Sequence, residues 1–325
     1  MFIRAALAAA AALLALGSAP AWAQTYSPST TTAADLGIIV PAATTSTNFS
    51  FASSTGTVTQ SGTAVRRTAG TTRSQITIGC SGSGSTCGSD INVKIGSIGT
   101  PTGKAGALSA FDVTSVSGSI TNVTGTNPLS FTIKPANKNT DASFYVGATL
   151  PITANNSAGS FGAATSQFYV YVAASPATPT TGITSTVSAT TYRGLSMSGS
   201  TLNFGKVAKP LTGTTTVTLT PGVSPTRTVS VPSSPSAGWS QATFTITGEN
   251  SMAISVTQAS TLTLTGPGTA ITANLTHTTF PTQVGSGSTG SQGTATFYTG
   301  GSFTIGTSQT VGSYSGTYNT TVSYN

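Results

Sequence analysis

The sequence predicts an all-β protein made of two tandem antiparallel β-sandwich domains, Ig-like or jelly-roll-like, behind a signal peptide. Short runs of β-branched and aromatic residues recur at intervals of roughly 8–12 residues, which is typical of sandwiches rather than βαβ units. Gly, Pro and Asn separate these runs, and helix signals are nearly absent after residue 23. Charged residues make up only 5% of the chain, whereas disordered chains combine low hydrophobicity with high charge.

The first 23 residues have the pattern of an export signal. Arg4 supplies a positive start, Ala5–Leu16 is apolar, and residues 21–23 (Ala-Trp-Ala) form a small-x-small cleavage site. The apolar run is too short to cross a bilayer. We therefore expect a mature chain that starts near Gln24 and is exported by a Gram-negative bacterium to the periplasm, the cell surface or beyond. We expect no integral membrane segment.

Alternating apolar and polar residues mark the predicted strands, because successive side chains of a strand point to opposite faces. In the first half the strands fall near residues 48–52, 56–60, 74–80, 91–95, 111–116, 130–134, 150–154 and 167–173. In the second half they fall near residues 195–198, 214–219, 226–231, 242–247, 251–257, 261–265, 294–298, 302–305 and 316–324.

The two halves share a pattern, which we interpret as two versions of one module. Asp35–Pro41 (DLGIIVP) matches Asn203–Pro210 (NFGKVAKP), and a Thr-rich strand follows each. Phe144–Ala174 matches Phe303–Asn325 as two strands, a polar turn and a long alternating strand. Residues 175–191 start as a Pro/Thr-rich linker and then resemble the first strand of the second module. We place the boundary near residue 178, which gives domains at 24–178 and 179–325.

The chain has two cysteines, Cys80 and Cys87, which bracket a Ser/Gly-rich run. In an exported protein this spacing predicts a disulfide across a turn. Closing so short a loop stabilises the fold by about 2–3 kcal/mol at most. We expect the bond to pin a hairpin or loop that is itself a candidate contact site.

Composition argues against several functions. The net charge is +7, but the basic residues are scattered, so we expect no nucleic-acid binding. The five acids are isolated in sequence and His277 is the single histidine, so we expect no enzyme, no metal and no cofactor. Trp239, in the turn-like run SAGWSQ, is the aromatic residue that we expect to be most exposed. It is our candidate for contact with a surface glycan or an abiotic surface.

The last fourteen residues, Gly312–Asn325, carry the most informative pattern of the chain. The residues on one parity are Gly312, Tyr314, Gly316, Tyr318, Thr320, Val322 and Tyr324. Nearly everything between them is Ser, Thr or Asn. This predicts an amphipathic strand with an aromatic face. Such a strand is either paired inside its own sheet or offered to a partner.

The second half resembles an uncharacterised family of secreted bacterial β proteins. The resemblance rests on the start Leu202–Gly205 (LNFG), the middle strand Ala242–Glu249 (ATFTITGE) and the ending GSYSGTYNTTVSY, which occur in this order over about 130 residues. It implies a β-sandwich and no established activity.

The ending is also similar to the final strand of chaperone–usher pilus subunits, including spore-coat-U-like subunits. Those subunits have a penultimate aromatic residue, alternating hydrophobic residues and a glycine fourteen positions from the end, matched here by Tyr324, by Val322 and Tyr318, and by Gly312. The resemblance implies a sandwich that lacks one strand and is completed by a periplasmic chaperone and later by a neighbouring subunit. The alternative is an ordinary closing strand of a complete sandwich.

The start of the mature chain, Gln24–Pro41, is polar over its first dozen residues and contains Pro28. It is therefore a poor donor strand for a neighbouring subunit, which fits the tip of a fibre better than its shaft. We expect a non-enzymatic secreted surface protein, structural or adhesive, such as a pilus or fibre-tip subunit. The alternative is a self-complete, monomeric polysaccharide-binding protein of the surface or periplasm.

Overall fold

A computed structural model describes residues 25–81, 90–136, 140–230, 235 and 237–325. Within these residues the chain forms strands and no helix, so the prediction of an all-β sandwich fold is confirmed. The strands of the first part are β1 (Thr25–Thr32), β2 (Ala34–Val40), β3 (Thr47–Phe51), β4 (Val58–Ser61), β5 (Val65–Arg66), β6 (Ser74–Ser81), β7 (Ile91–Thr102), β8 (Ser109–Ser117), β9 (Ser119–Thr124), β10 (Leu129–Lys134), β11 (Ala142–Ile152), β12 (Gly162–Ala174) and β13 (Thr181–Thr191).

The strands of the second part are β14 (Ser196–Gly199), β15 (Thr214–Thr220), β16 (Thr226–Val229), β17 (Ala242–Glu249), β18 (Met252–Gln258), β19 (Thr261–Leu264), β20 (Ile271–His277), β21 (Gln283–Val284), β22 (Gln292–Gly306) and β23 (Thr320–Tyr324). Two of the predicted strands, near residues 294–298 and 302–305, are one continuous strand, β22. The predicted ranges do not include β1, β2, β5, β9, β20 or β21. Of these, β1 and β20 consist mostly of Ser, Thr and other residues of low hydrophobicity.

The first part folds as a sandwich of two sheets. Sheet I has the order β1-β6-β11-β3-β4, with β8 on the other side of β11, and sheet II has the order β5-β2-β13-β12-β7-β10-β9. The side chains between the sheets form one hydrophobic core, in which Phe49 and Phe144 come from sheet I and Phe168 and Val187 from sheet II. Their alternating burial along each strand is the expected pattern of a sandwich.

The boundary between the two parts lies later than residue 178. That position falls in the turn between β12 and β13, which pair with each other over eleven consecutive positions. β13 also runs parallel to β2, and its side chains Val187 and Ala189 belong to the core of the first part. The segment that we assigned to the second module is thus a strand of the first, and the division falls after Thr191.

The second part forms sheet III, with the order β14-β17-β22-β15-β16 and β20 also paired with β22, and sheet IV, with the order β21-β18-β23. Its buried residues form two hydrophobic clusters. One contains Phe204 and Phe303, and the other contains Phe297 and Tyr324. The buried hydrophobic residues described in the first part, in contrast, form one core that both sheets share.

The two parts repeat one topology around their central strands. In β11, Phe144 pairs with Ile76 of β6 and Leu150 pairs with Phe49 of β3. In β22, Phe297 and Phe303 make the same pairings with β17 and β15. The equivalent sequences are therefore FYVG at residues 144–147 and FYTG at residues 297–300. The predicted match of Phe144 with Phe303 was displaced by six residues, because both runs consist of alternating aromatic and small residues.

The glycine of each motif marks where the central strand changes neighbours. A Cβ atom at Gly147 would collide with the carbonyl oxygen of Phe51, and one at Gly300 would collide with that of Leu219. Phe51 and Leu219 are themselves the equivalent residues of β3 and β15. The close backbone approach that requires glycine is therefore the same in both modules.

The predicted match between DLG and NFG is also a match of geometry. Gly37 and Gly205 have φ angles of 77° and 76°, which are left-handed and favour glycine. The side-chain oxygen of the residue two positions earlier accepts a hydrogen bond from each glycine N–H, at 2.9 Å from Asp35 and at 2.8 Å from Asn203. Asp and Asn are the residues that close such turns with their own side chains.

Candidate functional site

The C-terminal strand is shorter than its sequence pattern indicates. β23 covers Thr320–Tyr324 and pairs antiparallel with β18. In the preceding residues, 312–319, Ser315 and Thr265 form an isolated bridge with backbone hydrogen bonds of 2.8 and 2.9 Å, and the carbonyl oxygen of Asn319 accepts a bond of 3.1 Å from Ala259 N. The predicted strand over 316–324 is thus wrong in its first four residues, which form no strand, although Gly316 lies against Leu262 of β19 and the Tyr318 ring lies 6.3 Å from that of Phe244 in β17.

The aromatic side chains of the predicted face point inward, as the parity indicates. Tyr314 and Tyr318 pack against the cluster that contains Phe303, while Val322 and Tyr324 belong to the cluster that contains Phe297. The remaining members, Gly312, Gly316 and Thr320, lie along the same path. Burial raises the pKa of the Tyr318 phenol. The path from residue 314 to residue 324 therefore links the two clusters of the second module.

One edge of β23 is unpaired among the described residues. β18 and β23 exchange hydrogen bonds through the odd-numbered residues of β23, as the bond from Asn325 N to Ala253 O shows. The N–H and C=O groups of Thr320, Val322 and Tyr324 consequently point away from β18. The partner that reaches this side is Arg67 of the first module, whose Nη2 donates to the carbonyl oxygen of Tyr324 at 2.6 Å.

The first module shows what the equivalent edge looks like when it is covered. Its closing strand β12 lies between β7 and β13. β13 in turn has β2 on its far side, and β2 begins with the DLG turn. In the second module β23 corresponds to β12, β18 to β7, and the NFG segment to the start of β2. The described part of the chain contains no counterpart of β13 in the second module.

Tyr324 anchors the strand at the junction of the two modules. Its side chain is 9% exposed. The phenol oxygen accepts a hydrogen bond of 2.7 Å from the backbone N–H of Glu249 and donates one of 2.9 Å to the carbonyl oxygen of Arg193. Burial, as the largest cause, raises the pKa of this phenol. The penultimate aromatic residue thus bonds to the linker between the modules as well as to its own core.

A buried carboxylate completes the junction. Glu249 is fully buried, and its side chain accepts hydrogen bonds from the N–H of Arg193 and from the N–H of Gly290. Its Oε2 also lies 3.4 Å from Nη1 of Arg193. The guanidinium of Arg193 stacks on the ring of Phe161, 4.3 Å from its centroid. Because a buried charge is costly unless it is paired, the pairing with Arg193 gives this acid a structural role.

A cleft lies beside the junction. It has a volume of about 310 Å³ and is lined by Asn155, Phe161, Arg193, Gly194, Ser196, Thr247, Gly248 and Gln292. The charge of Arg193 is already balanced by Glu249. No group of three or more His, Cys, Asp or Glu that could hold a metal occurs in the residues that the structure describes.

The other predicted site residues are placed as follows. Trp239 is half-buried and packs against the cluster around Phe204. Its Cβ lies next to Gly205, which explains the packing. Cys80 is disulfide-bonded. Cys87, the other cysteine of the chain, lies outside the described residues.

The comparisons with known proteins concern the second module. A family model described as "Domain of unknown function (DUF4402)" matches residues 195–324. This range starts one residue before β14 and ends with β23, so it coincides with the second module of the structure. No curated protein and no solved structure matches the chain. Among the described residues, no helix is long and apolar enough to span a membrane.

Proposed function

We propose that this protein is a secreted, non-enzymatic surface subunit, structural or adhesive, whose second module is completed by a strand from another protein. The observation that carries the proposal is the difference between β12 and β23. The closing strand of the first module is covered by β13, whereas the outer edge of β23 has no strand beside it in the described residues. The complementing strand would come first from a periplasmic chaperone and then from a neighbouring subunit.

The divided core of the second module supports this proposal. In the first module, Val187 and Ala189 of β13 contribute to one continuous core. In the second module, as far as the structure describes it, the corresponding strand is absent and the buried residues fall into two clusters. An added strand with small apolar side chains at alternate positions would extend the sheet by main-chain hydrogen bonds and place those side chains between the clusters.

The start of the described chain supports a position at the tip of a fibre. Thr25–Thr32 is β1 and pairs with β6 of its own module from Thr25 to Thr32. Because this segment is used in its own sheet, it is not free to complete a neighbouring subunit. The first module, with all its loops, would then be presented at the outer end.

The experiment adds the missing strand in cis. A copy of the β13 sequence, residues 181–191, is fused after Asn325 through a short flexible linker. We expect the unfolding temperature of the second module to rise by about 4 °C or more, since each kcal/mol shifts it by about 2–4 °C in a domain of this size. The backbone N–H groups of Thr320, Val322 and Tyr324 should at the same time become protected from hydrogen exchange.

A matched control carries the same extension with Asp at its inward positions, which correspond to Ser185, Val187 and Ala189. We expect neither the rise in unfolding temperature nor the protection, since a charge at the sheet interior has no partner. In the native bacterium, deletion of Gly316–Asn325 should abolish surface display. Unchanged exchange at all three amides with the native extension, together with normal display of the deletion variant, would refute the proposal.

A further inference from the structure

The outer face of sheet II carries a pair of stacked tyrosines. Tyr169 and Tyr171 lie two positions apart on β12, and their ring centroids are 4.3 Å apart at an interplanar angle of 24°. Both side chains are half-buried. The ring of Tyr169 extends over Gly96 of β7, where a Cβ atom would collide with it. Burial is the largest cause, and the nearby Tyr171 the second, of the raised pKa of the Tyr169 phenol.

The third position along the stack carries only a small residue. Because the two rings stack along the strand, the second face of Tyr171 is turned toward the next residue on the same side of the sheet, Ala173. Ala173 has only a methyl group and lies opposite Asn92 of β7. Asn92 lines a cleft of about 190 Å³. An aromatic face, a small side chain and a cleft thus follow one another along the sheet.

Polar groups line the cleft beside Asn92. The cleft is lined by Asn92, Asn122, Ser130, Thr132 and Pro176, among others. Asn92 is held in place, because its Nδ2 donates to the carbonyl oxygen of Ala177 at 3.0 Å and its Oδ1 accepts from the Thr132 hydroxyl at 3.2 Å. Asn122 is exposed and has a left-handed φ of 54°. Lys94 lies opposite Tyr171 on the same face.

We propose that this face of the first module binds a glycan, with one pyranose ring stacked on Tyr171 above Ala173. A pyranose ring has an apolar face of C–H groups that packs on an aromatic ring, and hydroxyls at its rim that bond to amides and hydroxyls. The cleft next to Asn92 receives these hydroxyls, and Lys94 accommodates a carboxylate where the sugar is a uronic acid. The binding site lies on the first module and does not depend on strand addition at the second.

The test titrates the mature protein with three hexasaccharides, of β-1,4-linked glucose, α-1,4-linked glucose and galacturonic acid, by isothermal calorimetry. We expect at least one to bind. Tyr171→Ala should weaken that binding by about tenfold or more, which corresponds to about 1.4 kcal/mol. Ala173→Tyr should weaken it equally, because the new ring fills the third position while the tyrosine pair is kept.

Tyr145→Ala is the matched control, since Tyr145 lies on sheet I with Arg73 above its ring at 3.6 Å. It should leave binding unchanged, as should the fusion of a strand after Asn325. Absence of binding by all three hexasaccharides at millimolar concentration would overturn the proposal. So would binding that neither Tyr171→Ala nor Ala173→Tyr weakens in variants whose unfolding temperatures match the parent protein.

Discussion

Arg67 of the first module donates a hydrogen bond of 2.6 Å from its Nη2 to the carbonyl oxygen of Tyr324, on the open edge of the C-terminal strand. This carbonyl is one of the groups that a complementing strand would bond to. A strand that covers this edge would therefore compete with a hydrogen bond between the two modules. The backbone carbonyl of Tyr324 thus bonds to the first module, and its phenol bonds to Arg193 in the linker between the modules.

The first prediction concerns Arg67 itself. Arg67 is exposed, and surface interactions of this kind contribute about 1 kcal/mol or less. We therefore expect Arg67→Ala to change the unfolding temperature of the protein only slightly. It should, however, increase the stabilisation obtained from a strand fused after Asn325, because the Tyr324 carbonyl is then available to it. Lys206→Ala, which removes another exposed cation, should have neither effect, and an equal gain in both variants would contradict the prediction.

The second prediction concerns the phenol of Tyr324. Tyr324→Phe removes the partner of the buried N–H of Glu249 and of the Arg193 carbonyl. An unsatisfied buried donor costs about 1–3 kcal/mol, and we expect the free energy of unfolding of the second module to fall by this amount. Urea unfolding followed by the fluorescence of Trp239 measures it, since Trp239 is the one tryptophan after residue 23.

Tyr314→Phe is the comparison for this variant. The phenol of Tyr314 donates to the Thr310 carbonyl at 2.9 Å and accepts from Gln309, but both bonds lie closer to solvent. Its loss should cost clearly less than the loss of the Tyr324 hydroxyl. Equal losses would mean that the junction adds nothing to the anchoring of β23.

The third prediction is a pH dependence. Burial raises the pKa values of Tyr318 and Tyr324 above the ordinary value of 10.0. Above about pH 10 the unfolded chain releases these phenolic protons before the folded protein does, so stability present below that pH is lost as pH rises through the folded pKa values. Trp239 fluorescence in urea at pH 8 to 11 should show this decline. Tyr324→Phe should make it less steep, and an unchanged slope would contradict the assignment.

The fourth prediction ranks three glycines with left-handed φ angles. Gly213 has a φ of 68° and no atom within 4 Å of the position that a Cβ would take, so Gly213→Ala tests backbone strain alone, at about 1–2 kcal/mol. Gly205→Ala adds a contact of 3.1 Å with the Trp239 Cβ. At Gly37 the new methyl group would collide with the Thr68 carbonyl oxygen. We expect the loss of stability to increase in this order in urea unfolding followed by circular dichroism, and a smaller loss for Gly37→Ala than for Gly213→Ala would be inconsistent with it.

Much of the fold could be predicted from the sequence, because the determining interactions are local. Alternation along each run indicates a strand, whichever strand becomes its neighbour. The DLG and NFG turns are closed by the side chain two residues before each glycine. The sequence alone therefore indicates that the two turns are equivalent. The inward parity of Tyr314, Tyr318 and Tyr324 follows from the same local period.

Which strands pair, and therefore what each segment does, was decided by tertiary structure alone. The residues of β13 predict a strand, but only its packing on β12 and β2 assigns it to the first module. The role of Glu249 likewise depends on Arg193, 56 positions away. The C-terminal sequence predicts an amphipathic strand with one aromatic face, and its last five residues, Thr320–Tyr324, form β23. The outer edge of β23 has Arg67 as a partner and, among the described residues, no strand beside it. Both features depend on contacts between distant residues, which a local pattern does not encode.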